Sequence, residues 1–217
     1  MGKNKLRKYS EVATFSNVLP CREEETDIKE LKDFCNQDRD IILELGCGKG
    51  DYCVNLARKY PDKNFIGVDI KGARLWHGAK IALEENIDNA LFLRMQIEHL
   101  DKFLSRDSVS ELWITFPDPY LKRPKKNGKK RLTSERFLNI YRKVLKKGAT
   151  LHLKTDDDTL FNFTMETLEE TGAKIHAATD DLYNSKYLND LTSIQTTYEM
   201  KYLKENKTIK YIRFSIE

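Results

Sequence analysis

Short apolar runs and longer amphipathic stretches alternate along most of this chain. Ile41-Ile42-Leu43-Glu44-Leu45, Phe65-Ile66-Gly67-Val68, Leu91-Phe92-Leu93, residues 111–116 and Leu151-His152-Leu153 are short and mostly apolar, which predicts buried strands. Helical patterns occupy residues 51–59, 73–85, 136–146 and 160–170. The third is the clearest, because Phe137, Ile140, Tyr141, Val144 and Leu145 fall at i, i+3, i+4, i+7 and i+8. Lys146 and Lys147 before Gly148 suit a helix C-terminus and its stop. A short helix at 27–34 precedes this block, and an extended stretch near Ile175 and a strand at 211–216 follow it. The alternation predicts an α/β fold, a doubly wound and mostly parallel sheet in three layers, α/β/α.

In such a sheet, ligands sit at the carboxyl ends of the strands. Glu44, Asp69, Gln96, Asp118 and Asp156 all fall at or just past predicted strand ends, so one crevice should collect them. No repeat, low-complexity tract or linker divides residues 26–217, which read as a single domain. Residues 1–25 lack sustained periodicity. Lys3, Lys5, Arg7 and Lys8, then Glu23, Glu24 and Glu25, predict a flexible arm with a basic and an acidic part.

Composition adds one thing. The net charge of +4 is modest, but seven of the ten residues from Lys122 to Arg131 are Lys or Arg. That clustering, rather than the total, points to a polyphosphate partner. No apolar run approaches a membrane span and the N-terminus lacks a signal-peptide core, so a soluble, cytoplasmic protein is expected. Cys21, Cys35, Cys47 and Cys53 form no CxxC pair, and His77, His99, His152 and His176 are dispersed. Reduced thiols, packed or solvated histidines and no metal site are the expectations.

Two motifs carry candidate chemistry. Glu44-Leu45-Gly46-Cys47-Gly48-Lys49-Gly50 ends the first of the alternating strands, but its third glycine comes one residue too early for a dinucleotide fingerprint. A pyrophosphate would want helix amides and no acid nearby. Glu44 before the glycines suits a positively charged cofactor instead, such as S-adenosylmethionine, and Asp69 follows at a distance that reaches a ribose hydroxyl. In Phe116-Pro117-Asp118-Pro119-Tyr120-Leu121-Lys122, two prolines limit where Asp118 can point. A rigid acid beside a basic strip suggests chemistry on a nucleic acid.

With these motifs, Lys130-Arg131-Leu132, Lys154-Thr155-Asp156 and Thr196-Thr197-Tyr198-Glu199, the chain resembles the bacterial tRNA (guanine-N7-)-methyltransferase family from about residue 40 onward. The resemblance implies a Rossmann-like class I methyltransferase that uses S-adenosylmethionine and acts on tRNA, by analogy in the variable loop. It implies no obligatory protein partner, as a monomer or homodimer. By similarity Asp118 is catalytic and also borders the cofactor. Glu44, Gly46, Gly48, Gly50 and Asp69 bind the cofactor's methionine and ribose parts, with Gln96 near the adenine. The family commonly has Asp where Gln96 stands, and Glu98 competes for that role. Lys122, Asp156, Thr196, Thr197, Tyr198 and Glu199 match positions that meet tRNA. From the residues alone, Asp156 also reads as a helix N-cap and 196–199 as a loop. Two other readings share the fold: a methyltransferase for a small molecule or protein, and an RNA-binding module without catalysis.

Overall fold

A computed structural model describes residues 2–22, 26–122 and 127–216. The acidic Glu23, Glu24 and Glu25 and the basic Arg123, Lys125 and Lys126 lie outside the described residues. In chain order the first half runs α1 (Gly2–Val12), β1 (Val18–Pro20), α2 (Lys29–Cys35), β2 (Asp40–Leu45), α3 (Asp51–Lys59), β3 (Lys63–Asp69), α4 (Gly72–Glu84) and β4 (Ala90–Arg94). The second runs α5 (Leu100–Phe103), β5 (Val109–Thr115), α6 (Glu135–Tyr141), β6 (Leu145–Thr155), α7 (Asp158–Glu170), β7 (Lys174–Thr179), α8 (Thr197–Lys204) and β8 (Lys210–Ser215).

The strands form one sheet in the order β1-β4-β3-β2-β5-β6-β8-β7. Strands β1 to β6 pair in parallel, and β8 runs antiparallel between β6 and β7. Because helices cover both faces, the central strands are apolar on both. Leu43, Leu45, Ile66, Val68, Ile114 and Leu153 pack into one core, and Ile42, Phe65, Phe92 and Trp113 into the other. Strand order reverses between β2 and β5, so the crevice of a doubly wound sheet opens at their carboxyl ends.

Two expectations are corrected. The helix predicted over 136–146 stops at Tyr141. The carbonyl of Val144 accepts from the amides of Ser108 and Val109, and Leu145 already pairs with β5. Val144 and Leu145 are buried either way, so periodicity alone does not distinguish the outcomes. At the N-terminus, the segment expected as an arm contains α1 and β1. Glu11 accepts from Trp76 Nε1 at 2.6 Å, the Arg94 guanidinium lies 4.7 Å from the Tyr9 ring, and β1 extends the sheet beside β4. Its buried apolar anchors, Val12, Val18 and Leu19, are too few to set up a period.

Candidate active site

A cavity of about 630 Å³ opens at the carboxyl ends of the central strands. Its floor is the loop between β2 and α3. Gly46, Gly48 and Gly50 have φ of +67°, +56° and +72°, where a side chain would be strained. A Cβ on Gly50 would also lie 2.6 Å from the Phe92 ring. Asp69, at the end of β3, fixes this loop: its Oδ2 accepts from Gly48 N at 3.0 Å and its Oδ1 from Lys71 N at 2.7 Å. Ionised carboxylate oxygens have further lone-pair capacity, so Asp69 can still accept from a ligand in the cavity it lines.

Glu44 is placed differently from Asp69. It is 3% exposed and lies outside the cavity lining. Its Oε1 accepts from Thr115 Oγ1 at 2.7 Å and its Oε2 from Cys53 N at 3.0 Å, which ties β2 to β5 and to the first turn of α3. Burial pushes its pKa up to about 8 against those two hydrogen bonds, with Asp51 and Asp69 pushing the same way. Glu44 therefore sits under the floor. The acid that faces the cavity here is Asp51, the first residue of α3, which the sequence reading passed over. Its Oδ2 accepts from both Thr197 N and Thr197 Oγ1, at 2.9 and 2.6 Å. An acid in the first turn after a glycine loop was the available signal.

Past β4 the wall turns apolar with Met95 and Ile97, joined by Ile70 from the end of β3. Gln96 and Glu98 both line this part, so the structure brings together both candidates for an adenine contact. Glu98 lies 3.7 Å from Arg136, which also faces the cavity.

The proline-flanked acid stands across the switch point on the loop after β5. Phe116 and Tyr120 have φ of +49° and +48°, uncommon for bulky residues, and such strain is typical of functional turns. Asp118 is exposed in the cavity. Its Oδ1 accepts from Tyr120 N at 3.1 Å, and its Oδ2 has no partner among the described residues. Buried Arg131 clasps the same turn by donating from Nε to the Pro119 carbonyl at 2.8 Å. The end of the basic run thus has two duties: Arg131 holds the acid's loop, while Lys130 lines the cavity.

The residues expected to meet substrate divide. Residues 196–199, read as a loop, form a capping box at the start of α8, in which Thr196 Oγ1 accepts from Glu199 N at 3.1 Å and the Glu199 carboxylate from Thr196 N at 3.4 Å. Thr196 and Tyr198 line the cavity, and Thr197 is held on Asp51. Glu199 is fully buried, 2.6 Å from the Lys154 ammonium, and does not line the cavity. Burial pushes the pKa of Lys154 down and that of Glu199 up, each partly offset by the other's charge. Asp156 neither caps a helix nor lines the cavity: Asp157 caps α7 by accepting from Leu160 N, and Asp156 pairs with Lys207 at 2.7 Å. Lys122 is exposed, outside the lining. Tyr202, also missed, lines the cavity and packs its ring 5.8 Å from that of Phe116.

Carboxylates at the floor and on the Asp118 turn, with Lys71, Arg74, Lys130 and Arg136 among the same lining, suit a cationic, hydroxyl-bearing ligand below and an anionic polymer above. Among the described residues, no cluster of His, Cys, Asp or Glu could hold a metal ion.

A family model described as "Putative methyltransferase" matches residues 38–212. A tRNA (guanine-N(7)-)-methyltransferase of Christiangramia forsetii is 51% identical over 99% of both chains. The Porphyromonas gingivalis protein of the same name is 50% identical over 85% of this chain and 74% of its own, and that of Clostridium novyi 33% identical over 91% of each. In fold, the crystal structure of the 16S rRNA methyltransferase KamB superposes with a TM-score of 0.67 over 93% of this chain and 99% of its own, at 20% identity. A 30S ribosomal A1408 methyltransferase from an uncultured bacterium superposes at 0.60 over 87% and 93%, at 19% identity.

Proposed function

The chain belongs to the tRNA (guanine-N(7)-)-methyltransferase family, and from that premise we propose that it transfers a methyl group from S-adenosylmethionine to N7 of a guanine in tRNA. The observation that carries the reading is an exposed Asp118 on a strained turn in the same cavity as the glycine floor.

The residues present fit the cofactor. Gly46 and Gly48 bare the backbone of the floor while Gly50 packs behind it against Phe92, Asp69 offers its carboxylate to ribose hydroxyls, and Asp51 suits an ammonium. Ile70, Met95 and Ile97 offer an apolar slot for an adenine, with Gln96 or Glu98 at its edge. Glu44 acts beneath them by holding the amide of Cys53 and the hydroxyl of Thr115. When bound, S-adenosylmethionine supplies an electrophilic methyl group. Guanine N7 already carries a lone pair, so the chain is not asked to remove a proton before attack. Its work is orientation: the Asp118 carboxylate accepts from the N1–H and N2–H₂ edge of the base and favours the positive charge that develops on the ring. Lys122, Lys130 and Arg136 take phosphates.

The target lies in the variable loop on this reading. The enzyme works in the cytoplasm without an obligatory protein partner, as a monomer or homodimer, with residues 26–217 as its catalytic domain. No described helix is long and apolar enough to cross a membrane.

The test is to incubate the protein with S-adenosylmethionine and unmodified tRNA, then look for 7-methylguanosine in the digested nucleosides by mass spectrometry. Asp118→Ala should lower the rate about 100-fold, as loss of a transition-state contact does, while cofactor affinity stays near wild type. Transfer within about tenfold of wild type, roughly 1.4 kcal/mol, would sink the role given to Asp118.

A further inference from the structure

Lys154 is fully buried near the end of β6, and its bonds reach the two segments that carry Phe116, Thr196 and Tyr198 into the cavity. Its backbone carbonyl accepts from Phe116 N at 2.8 Å, at the entry to the Asp118 turn. Its ammonium donates to the carbonyls of Thr192 and Ile194, at 2.8 and 3.0 Å, and to the Glu199 carboxylate. An ammonium has three donors, and all three are used. Glu199 in turn accepts from Tyr183 OH at 3.0 Å, and Tyr52 OH donates to the Leu191 carbonyl at 2.7 Å. One side chain thus gathers the stretch from Thr192 to Glu199 beneath the turn that carries Thr196 and Tyr198 into the cavity.

A fully buried ion pair is a poor device for stability alone, since apolar residues of similar volume usually serve the fold as well. What this pair holds is an uncommitted aromatic. Tyr198 is 39% exposed and its ring makes no ring pair, cation contact or hydrogen bond among the described residues. Its Cε2 lies 4.0 Å from where a Cβ on Gly48 would be, over the glycine floor. A base drawn out of a folded RNA loses its stacking and needs an aromatic face in exchange.

We propose that Lys154 is a positioning residue for methyl transfer: through Glu199 it sets the turn at 196–199 so that Tyr198 offers its ring to the target guanine. The inference rests on the function proposed above and goes beyond it by giving Glu199 a structural partner in place of a substrate contact.

A double-mutant cycle tests it, with methyl transfer, cofactor affinity and melting temperature measured for each protein. Tyr198→Ala should slow transfer at least about 30-fold and Tyr198→Phe about threefold or less, with cofactor affinity unchanged, because stacking needs the ring alone. Lys154→Met should slow transfer about as much as Tyr198→Ala. Combined with Tyr198→Ala it should add less than about threefold, since residues that act as a unit are not additive. The apolar pair Lys154→Met with Glu199→Leu should melt near wild type and remain slow. Multiplying effects, a fast apolar pair, or a loss explained by cofactor affinity would overturn the proposal. So would failure of both Lys154 variants to fold, which would make the pair a requirement of the fold. A wild-type protein that forms no 7-methylguanosine would instead defeat the functional reading, independently of the cycle.

Discussion

At the scale of single residues, the cavity depends on atoms that are missing as much as on side chains. Gly78 of α4 packs against the glycine loop so closely that a Cβ there would lie 2.6 Å from the Lys49 carbonyl oxygen and 3.1 Å from Gly50 Cα. Both are backbone atoms, so the loop itself must move. Gly78→Ala should therefore weaken cofactor binding at least about tenfold, or about 1.4 kcal/mol, although Gly78 does not line the cavity. Calorimetric titration with S-adenosylhomocysteine would show it, and unchanged affinity would mean that the helix yields instead of the loop. Glu44 makes the related point for a charged group. Its position before the glycines suggests a ligand contact, but its carboxylate is buried outside the cavity lining, where it holds Thr115 and Cys53.

At the scale of elements, α8 shows how a short helix is placed. It has eight residues, below the length at which an isolated helix persists, so its start must be fixed by capping and packing. The Thr196–Glu199 capping box and the bonds from Thr197 to Asp51 supply that. Thr196→Ala should cost about 1 kcal/mol in urea unfolding, and Thr196→Ser should recover most of it. Equal stability of all three proteins would show that Asp51 and Lys154 hold the turn without the cap. The T-x-x-E signature of this cap stood in the sequence all along. The apolar period around it is weak and predicts no helix there, whereas at 136–146 a strong period overstates the helix.

At the scale of the whole molecule, the two sheet faces bury groups that water would ionise. His152 stacks on Trp113 with ring centroids 3.9 Å apart, its Nδ1 bonds the Tyr211 hydroxyl at 2.8 Å, and Glu111 lies 3.5 Å from Nε2. Burial, with Arg213 adding to it, lowers the pKa of His152 to about 3. Its ordinary value is near 6.5, so between these limits the unfolded chain binds the extra proton. Stability from this group is thus fully present above pH 6.5 and falls as the solution becomes more acid, by at most about 1.4 kcal/mol per pH unit. Urea unfolding at pH 7 and pH 5 should show the drop in wild type and a smaller one in His152→Phe. Equal slopes in the two proteins would assign the acid sensitivity elsewhere.

The sequence by itself determined the α/β alternation, the mostly parallel sheet, the glycine loop and the proline-held acid. These are local: strand and helix periods, turn chemistry and backbone restriction are set by neighbours in the chain. Whether an acid faces a ligand or supports a loop is not local. Glu44, Asp156 and Glu199 occupy positions that motifs associate with ligands, and each is engaged by residues far away in sequence: Thr115, Lys207 and Lys154. Asp51 and Tyr202 carry no motif of their own, the motif around Lys154 does not tell what its ammonium holds, and only the packing of β6 and α8 against the loops of β2 and β5 brings these residues to the cavity or beneath it. Burial and hydrogen-bond competition between distant segments decide those roles, and both exist only once the chain has folded.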